Sequence, residues 1–76
     1  MFTYNISKVA DNKAFKKTCS AIEDKVKNFK KEKLLVDVDG TLIQIYTVPG
    51  GRIKVVNDYL VDAVYADSDV NLEKVI

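Results

Sequence analysis

Leu34-Leu35-Val36-Asp37-Val38-Asp39-Gly40-Thr41-Leu42-Ile43-Gln44-Ile45-Tyr46-Thr47-Val48 sets an Asp-Gly pair between two runs rich in aliphatic and β-branched residues. Such a pair is a strong short-range sign of a β-hairpin, because both central residues of the favoured two-residue turn need positive φ. With Asp39 and Gly40 as the loop, Val38 lies opposite Thr41, Val36 opposite Ile43 and Leu34 opposite Ile45. One face of the hairpin is then apolar throughout and needs a covering element.

The cover lies upstream. Between Asp11 and Lys31, Phe15, Cys19, Ile22, Val26 and Phe29 recur in steps of four, three, four and three, which is one face of an amphipathic helix. The spacing predicts a helix over 11–32, capped by Asp11 or Asn12, with Lys30, Lys31 and Lys33 near the negative end of its dipole. Ahead of it, Phe2, Tyr4 and Ile6 alternate with Thr3, Asn5 and Ser7 as in a half-buried strand. Behind the hairpin, Pro49-Gly50-Gly51 marks a second turn, and Arg52-Ile53-Lys54-Val55-Val56 reads as the third strand of a meander. Tyr59 to Tyr65 reads as a further strand, with a short helix capped by Asp58 as the alternative. Residues 68–76 read as either a terminal helical turn or a last strand. A chain of 76 residues holds one core. The expected fold is a single α+β domain over 1–76: a basic amphipathic helix on a small antiparallel sheet, β-α-β-β-β, then a C-terminal strand or helix.

Composition closes several functional classes. The chain is 47% hydrophobic and 30% charged, ordinary globular usage. No apolar run approaches the roughly 20 residues of a membrane helix, and Met1 to Asn5 show no signal pattern, so a cytoplasmic protein with no membrane partner is expected. One cysteine and no histidine rule out an intrachain disulfide, zinc held by Cys and His, and every catalytic arrangement that needs imidazole. Cys19 sits on the apolar stripe and reads as a buried small hydrophobe.

The hairpin stretch resembles the first signature of the haloacid dehalogenase-like phosphatase superfamily, an apolar strand followed by Asp-x-Asp-Gly-Thr-Leu. That resemblance implies Asp37 as nucleophile, Asp39 as general acid, magnesium held by both, and Ala66-Asp67-Ser68-Asp69 as a second acidic stretch. The superfamily's parallel sheet needs several crossovers of about 30 residues each, whereas 27 residues separate Asp39 from Asp67. The usual Ser or Thr motif and positioned lysine find no match between them. A hairpin accounts for the same letters, with Asp37 on its solvent face and Asp39-Gly40 as its turn. Asp67, Asp69, Asn71 and Glu73 alternate as calcium ligands do but lack the loop's Gly and closing Glu, and read as a solvated acidic edge. The chain is therefore read as non-enzymatic, with no catalytic residue, metal or cofactor.

Charge points to binding. Residues 1–34 carry nine lysines against four acids, and residues 35–76 three bases against seven acids, within a net charge of +1. Lys13, Lys16, Lys17, Lys27, Lys30 and Lys31 fall off the apolar stripe of the expected helix, a basic face suited to phosphate backbones or simply to solubility. The partner expected is nucleic acid, RNA ahead of DNA, or an acidic protein. The other functional reading is a small inhibitor or regulator of a protein partner, of the accessory kind that phages and mobile elements encode. Leu35, Leu42, Tyr46 and Val48 fall on the hairpin face opposite the expected helix and predict a homodimer interface.

Overall fold

The computed structural model describes residues 1–76. The α+β expectation holds: one helix packs on an antiparallel sheet of six strands. The elements are β1 (Phe2–Ser7), α1 (Asn12–Lys25), β2 (Lys30–Lys31), β3 (Leu35–Val36), β4 (Leu42–Val48), β5 (Gly51–Asp58) and β6 (Ala63–Ser68). The sheet order is β1-β6-β5-β4-β2, and β3 pairs β4 alongside β2. The N-terminal strand thus pairs with the last one, with Tyr4 opposite Ala66. The stretch read with an open choice of state becomes a turn over 59–62 and then β6, and the chain closes in a helical turn in which the N–H groups of Val75 and Ile76 donate to the Leu72 carbonyl. β6 is an interior strand, so Asp67 and Asp69 do not form the sheet edge that was expected.

Two further expectations are corrected. The first is hairpin register. Leu35 pairs with Ile43 and Val36 with Leu42, one residue away from the expected pairing. Asp37 N–H donates to the Thr41 carbonyl at 2.9 Å and Gly40 N–H to the Asp37 carbonyl at 3.0 Å, so the loop is Val38-Asp39-Gly40. The longer loop needs positive φ only at Gly40 (+90°) and spares Asp39 that conformation. A one-residue slip exchanges faces. Leu42, Gln44, Tyr46 and Val48 point at the helix, Tyr46 fully buried, and Ile43, Ile45 and Thr47 occupy the other face. The neighbouring strand decides this. The two-residue Pro49-Gly50 turn sets Val48 opposite Gly51 and Tyr46 opposite Ile53, so the apolar Ile53 and Val55 share a face with Tyr46 while Arg52 and Lys54 share the other with Thr47 and Ile45.

The second correction is helix length. The helix ends at Lys25, not at 32: Val26 is already extended (φ −86°, ψ 128°) and Asn28 is left-handed (φ 60°). Val26 and Phe29 still pack on the core, but from a loop, and the Phe29 ring meets Tyr46 edge-on with centroids 5.6 Å apart. The chain then turns back so that Lys30 and Lys31 pair with Thr47 and Tyr46. A helix continued to residue 32 would have left this half of β4 unpaired at the sheet edge, and buried or part-buried backbone groups need partners. A bulge separates β2 from β3, and there Gln44 Nε2 donates to the Glu32 carbonyl at 2.6 Å.

The core lies between the two layers, with Phe15, Cys19 and Ile22 from α1 against Tyr46, Ile53, Val55, Val64 and Ala66, and Leu72 from the closing turn. Buried polar groups pin the helix at both ends. At its start, Asn57, fully buried, accepts from the Asp11 N–H at 3.0 Å and donates to Asn12 Oδ1 at 2.8 Å. At its end, the Tyr46 hydroxyl donates to Glu23 Oε2 at 2.6 Å.

Candidate functional site

Lys13, in the first turn of α1, lies where the helix dipole does not favour a cation, whereas Lys25 in the last turn suits it. Asp11 caps the start, its Oδ1 accepting from the N–H groups of Lys13 at 2.8 Å and Ala14 at 3.4 Å. No acidic residue follows in the first turn, and Lys13 occupies it instead. The N-terminal end of a helix carries partial positive charge, so a lysine there opposes the dipole, and the fields of lysine and dipole add towards any anion outside. Lys16 and Lys17 continue the cationic surface one turn on, exposed like Lys13. Residues three and four apart on a helix have Cβ atoms about 5–6 Å apart. Lys16 leans to the groove that α1 forms with Lys31 and Leu34, and Lys17 to the groove beside Ile6 and Val75. No carboxylate lies within 4.0 Å of any of the three, because the molecule's one ion pair is elsewhere.

That pair joins Lys31 Nζ to Glu23 Oε2 at 3.1 Å, the oxygen that also accepts from Tyr46. The tyrosine hydrogen bond first, and then Lys31, hold the Glu23 carboxyl below its ordinary range. Lys31 is thus committed to the structure. Lys30, its neighbour on β2, pairs with Thr47 and points to the helix-free face with Arg52 and Lys33. Lys27 stands exposed in the loop past the helix end. The six lysines expected on one helix face therefore divide: Lys13, Lys16 and Lys17 stay together, Lys27 is separated by the helix length, Lys31 is neutralised, and Lys30 turns to the far side of the sheet.

No family model, curated protein or solved structure matches this chain.

The pair of aspartates that resembles a phosphatase signature is exposed at the hairpin tip, Asp39 within the loop and Asp37 at its start. Asp37 Oδ1 accepts from Val38 N–H at 2.7 Å, and Asp39 Oδ1 accepts from Thr41 N–H at 2.9 Å, the bond that lowers the Asp39 pKa most. These are the bonds of turn-forming aspartates. Asp67 accepts from the Thr3 hydroxyl and Asp69 from the Arg52 N–H, each at 3.0 Å.

Of the four residues expected at a dimer interface, only Leu35 stays outside, half exposed on the helix-free side. Tyr46 and Val48 are buried under the helix, and Leu42 is half-buried against the core. Their presence in the core follows from the register of β4 on β5. A different apolar surface escapes any reading by periodicity because it lies in turns: Val38, Leu60 and Val61 are 103%, 85% and 63% exposed. The signal available in the sequence is apolar residues bracketed by aspartates, Asp37-Val38-Asp39 and Asp58-Tyr59-Leu60-Val61-Asp62.

Proposed function

We propose that this protein is a non-enzymatic binding domain whose α1 lysines, Lys13, Lys16 and Lys17, contact the phosphate backbone of nucleic acid, RNA ahead of DNA. The observation that supports the reading is the placement of three exposed, unpaired lysines on the first half of a helix with no acid in its first turn. Selection for helix stability alone favours acids there. Lys27 extends the surface towards the far end of the helix, a rise of about 1.5 Å per residue away. Contacts of this kind read backbone and shape, not base edges, so binding is weakly selective between sequences.

The test is a mobility shift on single- and double-stranded RNA and DNA across salt concentrations. Three phosphate contacts to a single strand give a slope of about −2 in log K against log salt. Changing Lys13, Lys16 and Lys17 together to Glu abolishes binding, while Lys30→Gln leaves it intact because that side chain lies on the opposite face. Retained binding in the triple variant, or no binding by the unaltered protein at about 50 mM salt, overturns the proposal.

A further inference from the structure

The end of the molecule formed by the β3–β4 and β5–β6 turns carries an apolar surface that the fold does not use. Val38 at one tip and Leu60 and Val61 at the other are 103%, 85% and 63% exposed, and Tyr59 and Val9 beside them are 44% and 53% exposed. Turns take Gly, Asn, Asp, Ser and Pro for conformational reasons, and nothing in turn geometry asks for leucine or valine at the apex. Single exposed apolar residues are ordinary, but these sit on turns that hydrogen bonds join to one another.

Three loops are bound into one surface. Tyr59 N–H donates to the Thr41 hydroxyl at 3.1 Å, and the Tyr59 ring stands 3.6 Å from where a Cβ on Gly40 would lie, which joins the two tips. Ala10 N–H donates to Asp62 Oδ1 at 2.7 Å, which draws in Val9. The aspartates also hold the tips in shape: Asp58 Oδ1 accepts from the N–H groups of Leu60 at 2.9 Å and Val61 at 3.2 Å, and Asp37 Oδ1 from Val38. Order is therefore built in before any partner arrives, which lowers the entropic cost of binding.

The rim fixes the partner's chemistry. Asp37, Asp39, Asp58 and Asp62 surround the apolar tips, and none has a basic group within 4.0 Å. Lys8, beside Val9, is the base nearest along the chain to this end; Lys13, Lys33 and Lys54 each stand four residues from one of its members. Carboxylates so placed repel phosphate backbones and anionic lipid surfaces and attract cations. The geometry points to a docking surface for a basic, amphipathic segment of a partner protein, whose apolar side chains seat on Val38, Leu60 and Val61 while its Lys or Arg groups face the aspartates. This surface adjoins the start of α1, where the Tyr59 hydroxyl donates to Asn12 Oδ1 at 3.2 Å, but the argument for it does not rest on the nucleic-acid reading.

The test follows methyl and amide NMR signals of the full chain during titration with two synthetic amphipathic helical peptides that share a leucine stripe, one carrying lysine and the other glutamate. The lysine peptide shifts Val38, Leu60 and Val61 signals, and the glutamate peptide does not. Leu60→Ser with Val61→Ser weakens binding by about tenfold or more and leaves the rest of the spectrum unchanged. Asp37→Asn with Asp39→Asn retains the turn acceptors, removes two of the four rim charges, weakens binding and lessens its salt dependence. No shift at the tips up to about 1 mM peptide, equal response to both peptides, concentration-dependent tip shifts in the protein alone, which would mean a second copy is the occupant, or displacement of the tip signals by RNA would each overturn the inference.

Discussion

Gly40 and Gly51 both take positive φ, yet different neighbours surround them. At Gly40 (φ +90°) an added Cβ meets only the Tyr59 ring at ordinary contact distance, so Gly40→Val carries backbone strain of about 1–3 kcal/mol. At Gly51 (φ +147°) a Cβ overlaps the Asp69 side chain, which cannot swing away without losing its bond to the Arg52 N–H. Gly51→Ala is therefore the more damaging change although alanine is the smaller residue, and thermal melts of the two variants compare them directly; a higher melting temperature for Gly51→Ala than for Gly40→Val contradicts the account. A pH dependence belongs to Glu23. Its carboxyl titrates lower in the folded state than in the unfolded one, chiefly through the Tyr46 hydroxyl. The bond therefore contributes in full above the ordinary glutamate range, and the contribution is lost as pH falls through the depressed folded value. Tyr46 itself is pushed up, burial first, and stays protonated throughout. Tyr46→Phe should show a smaller acid-induced drop in melting temperature than the unaltered protein, and parallel curves down to about pH 3 would refute this.

At the scale of elements, helix α1 shows how a pairing demand outranks periodicity. The apolar spacing continues through Val26 and Phe29, and nothing between Lys25 and Lys31 is Gly or Pro. Helix propensities differ by only about 0.7 kcal/mol per residue among ordinary residues, whereas an unpaired part-buried backbone group costs about 1–3 kcal/mol. Residues 30 and 31 accordingly pair with β4, and Asn28, a residue that tolerates the left-handed region, makes the exit. Asn28→Gly should be neutral or slightly stabilising and Asn28→Val destabilising by about 1 kcal/mol or more. Equal melting temperatures for the two would mean the left-handed exit is not needed.

For the molecule as a whole, core and surface exchange the roles that the strand pattern alone assigns. Tyr46 and Val48, expected at a dimer interface, are core residues, so truncating them acts on folding and not on association. Tyr46→Ala should cost about 3–5 kcal/mol, with a shift in melting temperature that does not depend on protein concentration. A shift that grows on dilution would return Tyr46 to an interface between subunits. The charge of the molecule is likewise distributed by folding. Lysines adjacent in sequence separate to opposite sides of the sheet at Lys30 and Lys31, and aspartates 19 or more residues apart, Asp39 and Asp58, come to flank one apolar end.

The sequence by itself determined the α+β class, a helix start at Asp11 or Asn12, the first strand, the two hairpins and the burial of Cys19, because each rests on local chemistry: a capping side chain, a period of two or of 3.6, a glycine at positive φ. It also held the facing of β4, since Pro49-Gly50 sets Tyr46 opposite Ile53 and the alternation of Ile53 and Val55 with Arg52 and Lys54 says which side is inward. That signal lies across two strands and is invisible along one. Tertiary structure alone decided the three-residue loop at Val38-Asp39-Gly40, the helix end at Lys25, the pairing of β1 with β6 and the partition of the lysines. In each case competing local states differ by about 1 kcal/mol or less, and hydrogen bonds to a strand distant in sequence tip the balance.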